Sequence, residues 1–274
     1  MFRQRLVTAI VLGLAAVAGI LYLPTPLVAL LTTVLAMTAA WEWIHLPQVS
    51  QKKRLAWLYI LAVGSLVQAG WRVFDHFPET MLAGAAIWAV LLGMVAVRKY
   101  RNSKQMVSPG LVLGIVVIVP ALAMVPVLHG QGDFGPPLVL AICGVIWIGD
   151  IGAYGVGKRW GLRPLAPNIS PGKTVEGAIG GGLLAVATGV VGITTITGSA
   201  VPFAWLVLAM VLVSGAAVLS DLLESMLKRA SGKKDSGQLL PGHGGLLDRI
   251  DSLLGAVPIF TGLWFFWLNP ATLG

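Results

Sequence analysis

The sequence predicts an all-α integral membrane protein with about nine transmembrane helices and a cytoplasmic N-terminus. The chain has 274 residues, of which 57% are hydrophobic and only 11% are charged. A soluble domain carries about 25% charged residues, so lipid must surround most of this chain. Ten tryptophans agree with that environment, because indole favours the boundary between membrane and water. The single cysteine, Cys143, excludes an internal disulfide.

Nine apolar runs have a length suited to crossing a bilayer. They lie near residues 6–23, 27–46, 55–70, 80–97, 110–128, 137–157, 177–196, 202–226 and 253–268. The first run begins like a secretory signal peptide, but it continues through Leu23 and a second run starts at Leu27. We therefore expect the first run to be a retained transmembrane helix.

Positive charge tests this topology independently, because Lys and Arg collect in cytoplasmic loops. With nine spans and the N-terminus inside, two basic residues precede the first span and three lie near Lys52. Four lie at 98–104, four at 158–173 and five at 228–249, which leaves only Arg72 outside. The net charge of +8 follows from this loop bias, and we expect no nucleic-acid partner.

The acids divide the chain into two functional parts. Residues 1–130 contain little besides spans and basic loops, which predicts an N-terminal transmembrane scaffold. Residues 131–274 are predicted to form a catalytic transmembrane region with cytoplasmic loops at 158–176 and 228–250. Seven acids lie within or beside its inner segments: Asp150, Glu176, Asp221, Glu224, Asp235, Asp248 and Asp251.

The second of these loops has the composition of a metal–phosphate site. Asp221, Ser225 and Lys228 share one helical face, and Asp248 and Asp251 lie on the first turns of the next helix. Between them "LLPGHGGLL" offers glycine amides, next to the basic residues of 228–234. Carboxylates, amides and cations together suit Mg²⁺ and phosphate. The alternative is a solvated loop whose basic residues only follow the inside rule.

The other loop adds a second polar constellation. "WIGDIGAYGVGKRWG" places Asp150 near the end of the sixth run. "PGKT" resembles a nucleotide P-loop, but Pro167 stands where that motif needs a glycine. Ser170, Lys173 and Glu176 remain at the start of the seventh helix, and a helix N-terminus suits an anion.

The stretch "SMLKRASGKKDSGQLLPGHGGLLDRID" resembles the signature of the phosphatidate cytidylyltransferases, also called CDP-diacylglycerol synthases. "GDIGAYGVGKRWG" and "SPGKTVEG" resemble a second region of that family. The signature positions are filled by Ser225, Lys228, Arg229, Lys234, Asp235, Pro241, His243, Gly244, Gly245, Asp248, Arg249 and Asp251.

The resemblance implies the reaction of CTP with phosphatidate to give CDP-diacylglycerol and pyrophosphate. It also implies an all-helical, homodimeric protein of the bacterial inner membrane, whose active site faces the cytoplasm and needs Mg²⁺, with or without a second cation. Asp221 and Asp248 would bind metal and act in catalysis with Lys228 and Arg229. The substrate-binding candidates are Asp150, Ser170, Lys173, Glu176, Ser225, Lys234, Asp235, His243, Gly244, Gly245, Arg249 and Asp251.

Several roles stay open from the residues alone. His243 either contacts phosphate or stabilises its turn, and Asp150 is either a ligand or a partner of a cation. Asp235 and Glu176 are candidate partners of the lysines. An ion-coupled transporter would carry acids near mid-membrane rather than at one face, and a lipid-binding scaffold would not need paired aspartates.

Overall fold

The computed structural model describes residues 2–46, 53–77, 79–100, 110–198, 200–239 and 244–269. Within these residues the order of the nine α-helices follows the nine predicted apolar runs, and the all-α prediction is confirmed. The helices are α1 (Phe2–Tyr22), α2 (Thr25–His45), α3 (Lys53–His76), α4 (Thr80–Tyr100), α5 (Leu111–His129), α6 (Gly135–Trp160), α7 (Val175–Thr197), α8 (Phe203–Ala230) and α9 (Leu247–Leu263).

Length and hydropathy make seven of the described segments candidate membrane spans. They are Thr25–His45, Leu55–His76, Leu111–His129, Gly132–Trp160, Val175–Thr197, Phe203–Ala230 and Leu247–Leu268. Shorter apolar helices cover Ile10–Tyr22 and Thr80–Val95. The protein is therefore a multi-pass membrane protein. The count of nine spans and the orientation of the N-terminus stay predictions.

Small residues bring α6 and α7 into close contact. A Cβ added to Gly181 would lie 2.7 Å from the Cβ of Ala153, and one added to Gly152 would lie 3.2 Å from the Cα of Gly181. Membrane helices approach closely where glycines face each other. The end of α6 and the start of α7 are thus held side by side.

Buried side chains form two apolar clusters that share helix α5. One cluster joins α2, α3, α4 and α5 to the C-terminal half of α8 and the first half of α9, with Trp43, Ile118 and Leu227 fully buried. The other joins α5 to α6, α8 and α9 around Leu128 and Phe260. This packing fixes the N-terminal helices against the helices that carry the predicted site.

Side-chain contacts show which helix ends lie together. At one end the His129 ring contacts Thr25 Oγ1 at 3.0 Å and the carbonyl of Ile20 at 2.9 Å. At the other end the Leu246 amide donates to Glu42 at 2.8 Å, and Lys173 pairs with Asp221. We call this second end the site end. It holds the ends of α2, α6 and α8 and the starts of α7 and α9, as the charge distribution predicts for one membrane face.

A short β-hairpin joins α6 to α7, where the sequence predicted only a loop. Strand β1 (Pro164–Ala166) pairs antiparallel with β2 (Ser170–Thr174). The Glu176 carboxylate accepts from the amides of Leu162 and Arg163, both at 3.1 Å, and pairs with Arg163 Nε at 2.8 Å. Strands this short show no clear alternation of apolar residues, so periodicity does not reveal them.

Candidate active site

The hairpin places Lys173 at the site end, against helix α8. Lys173 lies in β2, one residue before the Thr174 hydroxyl caps α7 by accepting from the Gly177 amide at 3.1 Å. Its ammonium forms an ion pair with Asp221 on α8. The loop at 158–176 therefore contacts α8, the helix that leads into the loop at 228–250, through one lysine and one carboxylate.

Asp221 also contacts the next turn of its own helix. Ser225 Oγ donates to Asp221 Oδ1 at 3.4 Å, as the predicted shared face of these residues requires. Lys228, which the same spacing places one turn further on, extends to the start of α9 instead. Asp221 thus keeps one pairing with a lysine and one long hydrogen bond.

Lys228 joins α8 to α9 through two carboxylates. Its ammonium contacts Asp248 Oδ1 at 2.6 Å and forms an ion pair with Glu224, one turn earlier on α8. All three side chains are largely shielded from solvent. Burial of such charges is tolerated when each has a partner of opposite sign.

Asp248 accepts hydrogen bonds from one lysine and two loop amides. Besides Lys228, the Ser236 amide donates to its carboxylate at 3.0 and 3.2 Å, and the Gly245 amide donates at 2.8 Å. Gly244 has a φ of +82°, a left-handed conformation that glycine adopts readily, and the turn there directs the Gly245 amide towards Asp248. The loop and the first turn of α9 therefore lock the Asp248 carboxylate in place.

Two further carboxylates approach from neighbouring helices. Asp150 is exposed on α6, where the charges of Asp221, Lys173 and Arg249 act on it. The charges of Asp221, Glu224 and Lys173 act on Asp251, whose side chain accepts from the Ser252 amide at 2.7 Å. Charged side chains of α6, α8 and α9 thus lie near one another at the site end.

We call this set the carboxylate cluster: Asp150, Asp221, Glu224, Asp248 and Asp251, with Lys173, Lys228 and Arg249 as its cations. Five carboxyl groups thus lie near three cationic side chains. No group of three or more His, Cys, Asp or Glu side chains among the described residues is arranged as a ready metal site. Mg²⁺ needs only one or two carboxylates when substrate phosphates complete its ligands, so this donor set fits it.

The other predicted residues surround the cluster. Arg229 joins the hairpin to the following loop, donating to the carbonyls of Ile169 at 3.4 Å and Lys233 at 3.3 Å. Ser170 is half-buried in β2, and Lys234 and Asp235 are exposed. Glu176 binds Arg163 rather than a lysine. His243 lies outside the described residues, and its two alternative roles stay open.

Two acids at the site end were given no role in the sequence analysis. Glu224 carried no assigned role, although its spacing to Lys228 allows an i, i+4 pair. Glu42 lies on α2, yet it accepts from the amides of Leu246 and Leu247 and from the Ser236 hydroxyl. An acid inside an apolar run was the available signal.

Comparison with known proteins places the chain in a family. A model of the cytidylyltransferase family matches residues 3–267. A phosphatidate cytidylyltransferase of Haemophilus influenzae is 36% identical over 98% of this chain and 100% of its own length. One of Pseudomonas aeruginosa is 38% identical over 96% of this chain and 97% of its own. One of Bacillus subtilis is 44% identical over 46% of each. The resemblance seen in the sequence is confirmed, and the chain belongs to the cytidylyltransferase family.

Proposed function

We propose that the protein transfers a cytidylyl group from CTP to phosphatidate, releasing pyrophosphate and forming CDP-diacylglycerol. The observation that carries this proposal is that two lysine–aspartate pairs, Lys173–Asp221 and Lys228–Asp248, lie at one end of a membrane bundle. The names and coverage of the relatives support the same substrates.

The reaction makes modest demands on proton transfer. The nucleophile is the phosphate monoester of phosphatidate, which is largely dianionic at pH 7 because its second pKa is about 6 by analogy with phosphoserine. No strong general base is needed. The protein must bring two polyanions together in line at the α-phosphorus and stabilise the leaving pyrophosphate. Lys173, Lys228 and Arg249 are the cations that the cluster offers for this purpose.

The carboxyl oxygens of the cluster are the kind of ligand that a divalent cation such as Mg²⁺ prefers. Asp221 and Asp248 would hold Mg²⁺, and Asp150 and Asp251 both lie near enough to Asp221 to interact with its charge. Bound there, Mg²⁺ would neutralise phosphate oxygens as a Lewis acid. Two lysines would orient the phosphates: Lys173, which is partly exposed, and Lys228, which is largely buried. Arg229 holds the hairpin and the loop together around them.

The placement of the site follows from its lipid substrate. Phosphatidate keeps its acyl chains in the bilayer, so a cluster at the ends of membrane helices gives the headgroup access to a nucleotide from solvent. The excess of Lys and Arg in the loops of this end supports a cytoplasmic orientation in a bacterial inner membrane. We further propose a homodimer, and a division in which residues 131–274 carry the chemistry and residues 1–130 support it.

The test is label transfer by the purified protein. CTP labelled at the α-phosphate should deliver its label to lipid in the presence of phosphatidate and Mg²⁺, whereas γ-labelled CTP should release the label as pyrophosphate. An ion-coupled transporter or a lipid-binding scaffold would transfer neither label. A folded sample that leaves α-labelled CTP unchanged refutes the proposal.

A further inference from the structure

We infer that Glu42, on helix α2, is a positioning residue that sets the loop carrying Asp248. This gives the N-terminal half of the chain a direct part in the site. The effect on catalysis rests on the proposed function, but the effect on the loop does not. The contacts lie in two described parts of that loop, residues 236–239 and 244–246, and in the first turn of α9.

Both oxygens of Glu42 accept hydrogen bonds from this loop. The Leu246 amide donates to Oε1 at 2.8 Å, the Leu247 amide to Oε2 at 2.8 Å, and the Ser236 hydroxyl to Oε2 at 2.9 Å. The first amides of a helix have no partner within it, and the residue before α9 provides no side-chain cap. Glu42 therefore caps α9 from another helix, at the end that attracts negative charge.

The same stretch of loop connects Glu42 to Asp248. Ser236 donates its hydroxyl to Glu42 and its amide to Asp248, so one residue touches both carboxylates. Gly245 donates its amide to Asp248, and the next amide, of Leu246, goes to Glu42. The two acids thus bind the same residue and adjacent residues of the loop, so we expect a shift at Glu42 to move donors of Asp248.

Two glycines of the loop pack tightly against the Glu42 side chain. A Cβ on Gly245 would overlap Ser236 Oγ and Glu42 Oε2, and a Cβ on Gly237 would lie 2.6 Å from Glu42 Oε1. Glu42 is buried, and a buried carboxylate is costly unless hydrogen-bonded. The end of α2 makes a second contact, because Lys233 donates to the carbonyl of His45.

Replacing Glu42 by glutamine tests the hydrogen bonds of the carboxylate separately from the packing of the side chain. Glu42→Gln keeps the shape, but its NH₂ group would face a donor in place of one acceptor oxygen. A matched control is Gln68→Leu, which removes hydrogen bonds from Gln68 Nε2 to the Ala29 carbonyl at 3.1 Å and to Thr33 Oγ1 at 2.6 Å. That change loosens α2 against α3 without touching the loop.

Amide hydrogen exchange measures the loop without substrate or metal. In the full-length protein, Glu42→Gln should speed exchange of the amides at 236 and 245–248 by about tenfold or more, because local opening becomes easier. Gln68→Leu should leave these amides at the wild-type rate. Equal protection of the loop in Glu42→Gln and in the wild type would overturn the inference.

The second readout is the Mg²⁺ dependence of CDP-diacylglycerol formation. Loss of a group that positions a metal ligand typically weakens metal binding by about 10–100-fold, so the half-saturating Mg²⁺ concentration should rise in Glu42→Gln and stay unchanged in Gln68→Leu. A lower rate with unchanged Mg²⁺ dependence would reduce Glu42 to a stability role and overturn the inference.

A wild-type protein without activity would refute the proposed function, and the exchange measurement would then decide the role of Glu42 alone. Ser236→Ala is a second variant for the case in which Glu42→Gln does not fold. It removes one of the three donors to Glu42 and should raise exchange at the same amides, by a smaller factor.

Discussion

The two lysine–aspartate pairs of the site are built differently. In the Lys173–Asp221 pair the side chains are 32% and 20% exposed. In the Lys228–Asp248 pair they are 11% and 7% exposed, and Glu224, which shares the lysine, is 4% exposed. Asp248 also accepts from two loop amides, whereas the further hydrogen bond to Asp221 is a long one from Ser225.

This difference indicates that the two pairs have different roles. We call Lys228, Glu224 and Asp248 the fixed wall of the site, and Lys173 and Asp221 its open side. Charged groups that are buried and multiply hydrogen-bonded are preorganised for electrostatic stabilisation. Groups that are partly exposed and singly paired are accessible to polar ligands and exchange partners at low cost. The hairpin side is therefore the side of access, and the α9 side is the fixed part of the site.

The largest expected effect comes from breaking the fixed wall. Asp248→Asn leaves the buried Lys228 with Glu224 as its remaining charged partner. We expect a loss of about 2–3 kcal/mol in the free energy of unfolding, because the charge-assisted hydrogen bond from Lys228 to Asp248 is lost while Glu224 remains. The rate of CDP-diacylglycerol formation should fall by about 100-fold or more. Thermal unfolding in detergent and an initial-rate assay measure both quantities. Wild-type stability in this variant would contradict the buried pairing.

The open side should respond in activity more than in stability. Lys173→Met removes a cation from a partly exposed pair, which contributes about 1 kcal/mol or less to folding. The kcat/KM for CTP should nevertheless fall by about tenfold or more if this ammonium contacts phosphate. Lys173→Arg is the matched variant, since it keeps the charge. If the Lys173→Met protein keeps the wild-type kcat/KM, then Lys173 does not contact the substrate phosphates.

Packing around the fixed wall gives a smaller effect. Gly245→Ala would push a Cβ into Ser236 and Glu42, and overpacking of this kind costs about 1–3 kcal/mol. Gly215→Ala on α8 is the control, because no atom lies within 4 Å of the Cβ it would add. Unfolding temperatures of the two variants check this. A Gly245→Ala protein as stable as Gly215→Ala would show that the loop is not tightly held.

The smallest effect is expected at the outer edge of the open side. Glu176→Gln weakens the ion pair with Arg163, whose side chain is 71% exposed. Solvent screens such a pair, so activity should stay within about twofold of the wild type. A larger loss in the initial-rate assay would mean that Glu176 acts on substrate, as the sequence analysis proposed, and not only on the hairpin.

The sequence predicted most of the fold and the contact between Asp221 and Ser225, because both rest on local patterns. Apolar runs revealed the helices, and the spacing of Asp221 and Ser225 on one helix revealed their contact. Glu42 was missed because its partners lie 194 to 205 residues away, so that no local pattern links them. The role of Gly245 as a donor to Asp248 also depends on a loop path that spacing does not specify.

The most direct test of this account is the initial rate of CDP-diacylglycerol formation from CTP and phosphatidate by Asp221→Asn and Asp248→Asn proteins whose folding has been verified. Because one carboxylate comes from each side of the site, both variants should lose at least about 100-fold of the wild-type rate. Only Asp248→Asn should also lose substantial stability. A wild-type rate in either folded variant would contradict a catalytic site shared between α8 and α9.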